Sequence, residues 1–111
     1  MATKTKSVKK KLTKAQLDRL KIHGFIDVYA DDEHKENIIL ADGLDEGFIG
    51  LAYRDGQYGK QVAVYGIFSC INTLVKQNKW SWEEAEEYFD YNTRYAYVGE
   101  YTPMFIEEMP R

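Results

Sequence analysis

The fifteen residues from Gln61 to Val75 constrain the fold more than any other part of the chain. In QVAVY, Val62 and Val64 alternate with smaller neighbours, the two-residue period of a strand. At Gly66 the period changes. Ile67, Phe68, Ile71, Leu74 and Val75 recur at three- and four-residue spacing and lay an apolar stripe along a helix to about Gln77. A strand that runs directly into an amphipathic helix leaves apolar surface on both, and the rest of the chain must cover it. With 111 residues there is material for one such core and not for two. A hydrophobic content of 44%, with 14% aromatic, suffices to offset the entropy of ordering most of the chain.

The remaining segments supply the cover. Thr13 predicts a helix N-cap with Gln16 as its capping-box partner, Leu12 and Leu17 as staple, and Gly24 as the stop. Leu17 and Leu20 form a narrow apolar stripe that places this helix on the surface of the core. Phe25 to Ala30 predicts a strand from its β-branched and aromatic content, followed by a polar turn and a short strand Ile38-Ile39-Leu40. Gly47 to Arg54 predicts a buried strand, although LDEGFIGLAYR can also open as a helical turn. Ser81 with Glu84 forms a second capping box, and the helix it starts carries Ala85, Tyr88, Phe89 and Asn92 on one face. YAYV and TPMFI predict two strands, and Pro103 makes the last one start late or lie at an edge. The order α-β-β-β-β-α-α-β-β, without regular alternation, predicts an α+β domain over residues 12–111. A mixed or antiparallel sheet would carry two or three helices on one face.

Charge is unevenly distributed. Residues 1–21 hold eight basic and one acidic side chain, and the rest hold seven basic and seventeen acidic, about +7 against −10 within a formal net charge of −3. Residues 1–11 are nearly devoid of apolar side chains, which predicts a basic, flexible tail. Lys4, Lys6, Lys9, Lys10, Lys11 and Lys14 would form an arm able to reach a phosphate backbone, or would serve solubility alone. No run approaches a membrane span and no apolar leader follows the N-terminal lysines, so the expectation is a cytoplasmic protein without membrane contact. The single cysteine, Cys70, has no partner for an internal disulfide or a zinc site.

Candidate chemistry is sparse. His23 and His34 lack neighbours at metal-ligand spacing and suit surface or capping roles, and no metal site is expected. Cys70 with either histidine would need a base in reach and a thiolate-favouring site, whereas a helix flank suits an apolar thiol; no catalytic residue is assigned. Asp42, Asp45 and Glu46 gather carboxylates around a turn, with Glu100 able to join only if the fold brings it near. They could bind a hard cation or do acid–base work, but turn and cap roles account for the same residues. The glycines match neither a phosphate loop nor a dinucleotide fingerprint, so no cofactor is expected. Glu83, Glu86, Glu87 and Asp90 line one side of a helix, either as a solvated face or as a phosphate mimic for proteins that neutralise nucleic acid. Nine tyrosines and two tryptophans exceed what a small core needs; Tyr53, Tyr58, Trp80, Trp82, Tyr91, Tyr95 and Tyr101 either form a partly exposed set, with Trp82, Tyr91 and Tyr101 at a binding face, or edge the core with their polar tips wet.

From Ile38 to Ile106, about two thirds of the chain, the sequence resembles a small family of proteins encoded by bacteriophages and phage-derived elements. The residues carrying the resemblance are ILADGLDEGFIG, QVAVY, Cys70-Ile71, SWEEAEEYFDYN and AYVGEYTPMFI; the junction Gly66-Ile67-Phe68 departs from it. The resemblance implies an accessory protein that binds and redirects host machinery, including defence nucleases. The leading expectation is therefore stoichiometric binding to a host protein or complex. Nucleic-acid binding through the basic arm and a small carboxylate-dependent enzyme are the alternatives. A homodimer stays open.

Overall fold

The strand Gln61–Gly66 (β2) lies at the centre of the fold, and all six of its residues are buried. It pairs antiparallel with β1 (Phe48–Tyr53) and parallel with β3 (Met104–Ile106), giving a three-stranded mixed sheet in the order β1-β2-β3. Among the described residues three α-helices complete the fold: α1 (Lys14–Tyr29), α2 (Ile67–Asn78) and α3 (Trp82–Phe89). The structure is a computed structural model and describes residues 11–56 and 58–109. It is a single α+β domain.

Strand register explains where the core sits. Phe48 stands opposite Tyr65, Leu51 opposite Ala63, and Tyr65 opposite Phe105, so these side chains share one face of the sheet. On that face Ala63 and Tyr65 pack with Ile71, Leu74, Ala85 and Phe89 of α2 and α3. Ile22, Ile26 and Ala30 pack against Phe48 and Leu51 beside them. Five rings bridge the two clusters: Phe25, Phe48, Tyr65, Phe105 and Phe89 follow one another at centroid distances of 6.0, 5.7, 5.5 and 5.3 Å. Three of the four contacts are edge-to-face, the arrangement the ring quadrupole favours.

Both predicted capping boxes are present. Thr13 accepts from the Gln16 amide while the Gln16 side chain accepts from Thr13, and Ser81 and Glu84 do the same at α3. The strand-to-helix change at Gly66 also stands where the period changes, and the segment before β1 opens as a 3₁₀ turn, Asp45–Gly47. β3 begins just after Pro103 and lies at the sheet edge.

Three predicted strands do not form. Phe25 to Ala30 continues α1, which runs through Gly24 to Tyr29. Ile22 and Ile26, one helical turn apart, both reach the core, and that burial outweighs the weak helix propensities of Gly24 and the β-branched residues. The outward face of α1 carries Leu17 and Leu20, which sequence reading had turned toward the core. Ile38 and Leu40 pack against both core clusters without joining the sheet. Tyr95 to Val98 is also outside the sheet. A π-helical turn, Asp90–Arg94, prolongs α3 into that region, and Tyr95, Tyr97 and Val98 are left exposed. Among the described residues no helix is long and apolar enough to cross a membrane.

Candidate partner-binding face

The outer side of α3 and its π-helical extension brings together most of the residues singled out by charge. Ala85 and Phe89, one turn apart, are fully buried and fix which way the helix points. With 3.6 residues per turn, that anchoring turns Glu83, Glu86, Glu87, Asp90 and Tyr91 outward together. They line one shallow depression. Tyr91 is 89% exposed. Aromatic pairs bound the face on its two sides: Trp82 against Phe68 at 5.0 Å, and Tyr88 against Trp80 at 5.1 Å.

Among the described residues, only the Asp90 end of the face is electrostatically compensated. Asp90 lies 3.3 Å from Arg94, whose guanidinium also approaches Glu107 at 3.7 Å. Among the described residues, Glu83, Glu86 and Glu87 have no ion-pair partner within 4.0 Å. The helix dipole favours Glu83 and Glu84 in the first turn but gives little to Glu86, Glu87 and Asp90 beyond it. Like charges three and four residues apart cost about 0.2–0.5 kcal/mol per pair.

Tyr101 does not join this face. Its hydroxyl lies 2.8 Å from Nδ1 of His34, which is buried, and Lys60 sits over its ring at 6.0 Å. His34, expected in a surface or capping role, stands at the N-cap position of the turn Lys35–Asn37 without a side-chain capping bond and forms an interior contact between segments far apart in sequence; His23 is exposed. No local signal marks a pair 67 residues apart. Tyr95, 72% exposed, is at the surface as expected, and Tyr88 and Tyr97, exposed by 45 and 78%, are rings that sequence reasoning left out.

The carboxylates of the 42–46 turn are occupied in holding the fold. Asp45 accepts from both Nε and Nη2 of Arg19 at 2.9 Å, a bidentate pair that ties the 3₁₀ turn to α1 and raises the guanidinium pKa. Asp42, almost fully exposed, lies 3.5 Å from the same guanidinium. Glu46 stands between Lys14 and Lys76, at 3.7 and 3.3 Å. Glu100 is drawn to Lys60 instead, at 3.9 Å. Among the described residues no three His, Cys, Asp or Glu side chains are grouped to hold a metal ion. Cys70 is fully buried, and burial, with Glu108 adding to it, pushes its thiol up to about 12, which leaves it protonated and unreactive at neutral pH.

Of the basic arm, Lys4, Lys6, Lys9 and Lys10 lie outside the described residues. Lys11 is exposed, and Lys14 bonds Asp18 at 2.7 Å within α1. No family model matches the chain, and neither a curated protein nor a solved structure shows significant similarity to it.

Proposed function

We propose that this protein acts by stoichiometric binding, with the acidic and aromatic face of α3 engaging a basic surface on another protein. The observation that carries the proposal is the row Glu83, Glu86 and Glu87, without an ion-pair partner among the described residues, around the protruding ring of Tyr91. A helix that keeps such a row gives up stability for a negative field, and a field of that kind steers and holds cationic partners. Tyr91 and the flanking pairs Trp82–Phe68 and Trp80–Tyr88 add apolar area that a guanidinium or a hydrophobic side chain can cover. Surfaces built to neutralise phosphates present matching charge. This favours a nucleic-acid-handling or defence complex of a bacterial host, in keeping with the bacteriophage-type resemblance of residues 38–106.

Affinity capture from host lysate tests the proposal, with the tagged full-length protein beside a variant carrying Glu83→Lys, Glu86→Lys and Glu87→Lys. Glu84 is kept because it closes the Ser81 capping box. The wild type is expected to enrich a basic partner that the variant loses while its helix content is unchanged. Equal capture by both proteins, or no enriched partner, overturns the proposal.

A further inference from the structure

Helix α1 has apolar residues on two opposite sides. Ile22 and Ile26 enter the core, whereas Leu17, Leu20 and Val28 point away from it and are exposed by 45, 57 and 71%. The spacing of three, four and four residues through Leu17, Leu20, Gly24 and Val28 places all four on one outward stripe. Gly24 is a gap in that stripe. A Cβ built there meets nothing within 4 Å, so the chain's own packing does not require a glycine at this position.

The stripe is complementary to itself when reversed. About a two-fold axis near position 22, Leu17 of one helix falls beside Val28 of the other, and Leu20 falls over the gap at Gly24. A large side chain then fills each hole, as in close-packed antiparallel helix pairs. The ends agree with this direction. α1 has no acidic residue in its first turn and no basic residue in its last, the reverse of what its own dipole favours. Exposed Lys11 and Lys14 mark its start, and Asp27, Asp31, Asp32 and Glu33 cluster around its end, all of them exposed. An antiparallel copy would bring the basic end of each helix to the acidic end of the other and oppose the two dipoles. A parallel copy would set like against like.

We infer that a second copy of this chain docks antiparallel on the outward stripe of α1, seating Leu20 over Gly24 of the partner copy. The inference is independent of the acidic face on α3. Four residues per side cover less than the roughly 1,200–2,000 Å² of a standard interface, so the dimer is weak and concentration-dependent.

Sedimentation of the full-length protein over a range of concentrations tests the inference. A monomer–dimer equilibrium is expected, weakened at least about tenfold by Leu20→Glu, the equivalent of one lost leucine burial. Gly24→Gln improves helix propensity yet fills the gap, so it is expected to weaken the dimer while leaving the fold as stable or more so; this separates interface from folding defects. Register is read by oxidative cross-linking. A Leu17→Cys protein mixed with a Val28→Cys protein is expected to form disulfide-linked pairs faster than either protein alone, with buried Cys70 unreactive. A protein that stays monomeric at every concentration, a dimer indifferent to Leu20→Glu and Gly24→Gln, or preferential linkage of Leu17→Cys to itself overturns the inference.

Discussion

Glu108 caps α2 from the far end of the chain, and Gly66 is the socket that admits it. The N-cap position, Gly66, has no side chain to offer, and the carboxylate of Glu108 takes over: it accepts from the Ser69 amide at 2.7 Å and from the Ser69 hydroxyl at 3.1 Å. A Cβ at position 66 would collide with that carboxylate. The backbone at Gly66 is ordinary extended chain at φ −88°, so glycine is required there for space and not for conformation. This gives a physical account of the Gly66-Ile67-Phe68 junction, where the chain closes its last segment over the start of α2.

The two residues should therefore be coupled. Glu108→Ala is expected to cost about 0.5–2 kcal/mol, the usual range for losing a helix N-cap. Gly66→Ala should cost a similar amount in the wild-type protein by expelling the carboxylate, but far less in the Glu108→Ala background, where nothing remains to expel. A double-mutant cycle from urea unfolding measures this, and additive costs would show that the two residues act separately.

Arg19 and Asp45 give a second test, one that separates structural from chemical roles among the turn carboxylates. The bidentate contact is part-buried and spans 26 residues. Asp45→Asn is expected to lower stability by about 1.5–3 kcal/mol, the range for a hydrogen bond to a charged group. Asp42→Asn should stay within about 0.5 kcal/mol, since Asp42 is nearly all in solvent and only 3.5 Å from the guanidinium. Thermal unfolding of the two variants compares them, and equal losses would contradict this division of labour.

Sequence patterns were legible where a local rule and the tertiary structure agreed. The capping boxes at Thr13 and Ser81 satisfy backbone groups within three residues of the signal, and the change of period at Gly66 and the late start of β3 after Pro103 are likewise set by neighbouring residues. Phe25 to Ala30 failed because composition and periodicity disagree there: the residues are β-formers, but Ile22 and Ile26 have helical spacing, and the core selects the spacing. Tyr95 to Val98 failed because a strand needs a neighbour, and the sheet edge beside β2 is taken by β3. At the candidate site, the outward row on α3 followed from helical period alone, whereas the separation of Tyr101 from it, and of Glu100 from the 42–46 carboxylates, depends on His34 and Lys60, which no spacing rule connects to them.

The buried thiol and phenol make stability pH-dependent on the alkaline side. Cys70 rises from 9.0 to about 12 and Tyr65 from 10.0 to about 12, in both cases first through burial. Well below pH 9.0 both groups are neutral whether the chain is folded or not, so their contribution is constant at neutral pH. Above it the unfolded chain releases protons that the folded chain still holds, and stability falls through the window up to about 12 by the order of 1 kcal/mol per pH unit for each group released. Urea midpoints should be flat at neutral pH and decline once the ordinary thiol value is passed. Cys70→Ala should delay the onset of that decline; an unchanged onset would mean that the thiol is not its source.

Tyr101 and His34 decide whether the tyrosines belong to one surface or serve two purposes. His34 is only 5% exposed, and the Tyr101 hydroxyl satisfies its Nδ1, joining the loop after α1 to the segment that precedes β3. Tyr101→Phe leaves a ring nitrogen unpaired in the interior, at a cost of about 1–3 kcal/mol. Tyr91→Ala removes a ring that is almost entirely in solvent and should leave stability within about 0.5 kcal/mol. In partner binding the order is reversed: Tyr91→Ala is expected to weaken capture, and Tyr101→Phe to leave the binding of the folded fraction intact. Paired measurements of unfolding and capture on both variants test this crossing. Loss of capture by Tyr101→Phe at undiminished stability would move the binding surface to the His34 side of the molecule.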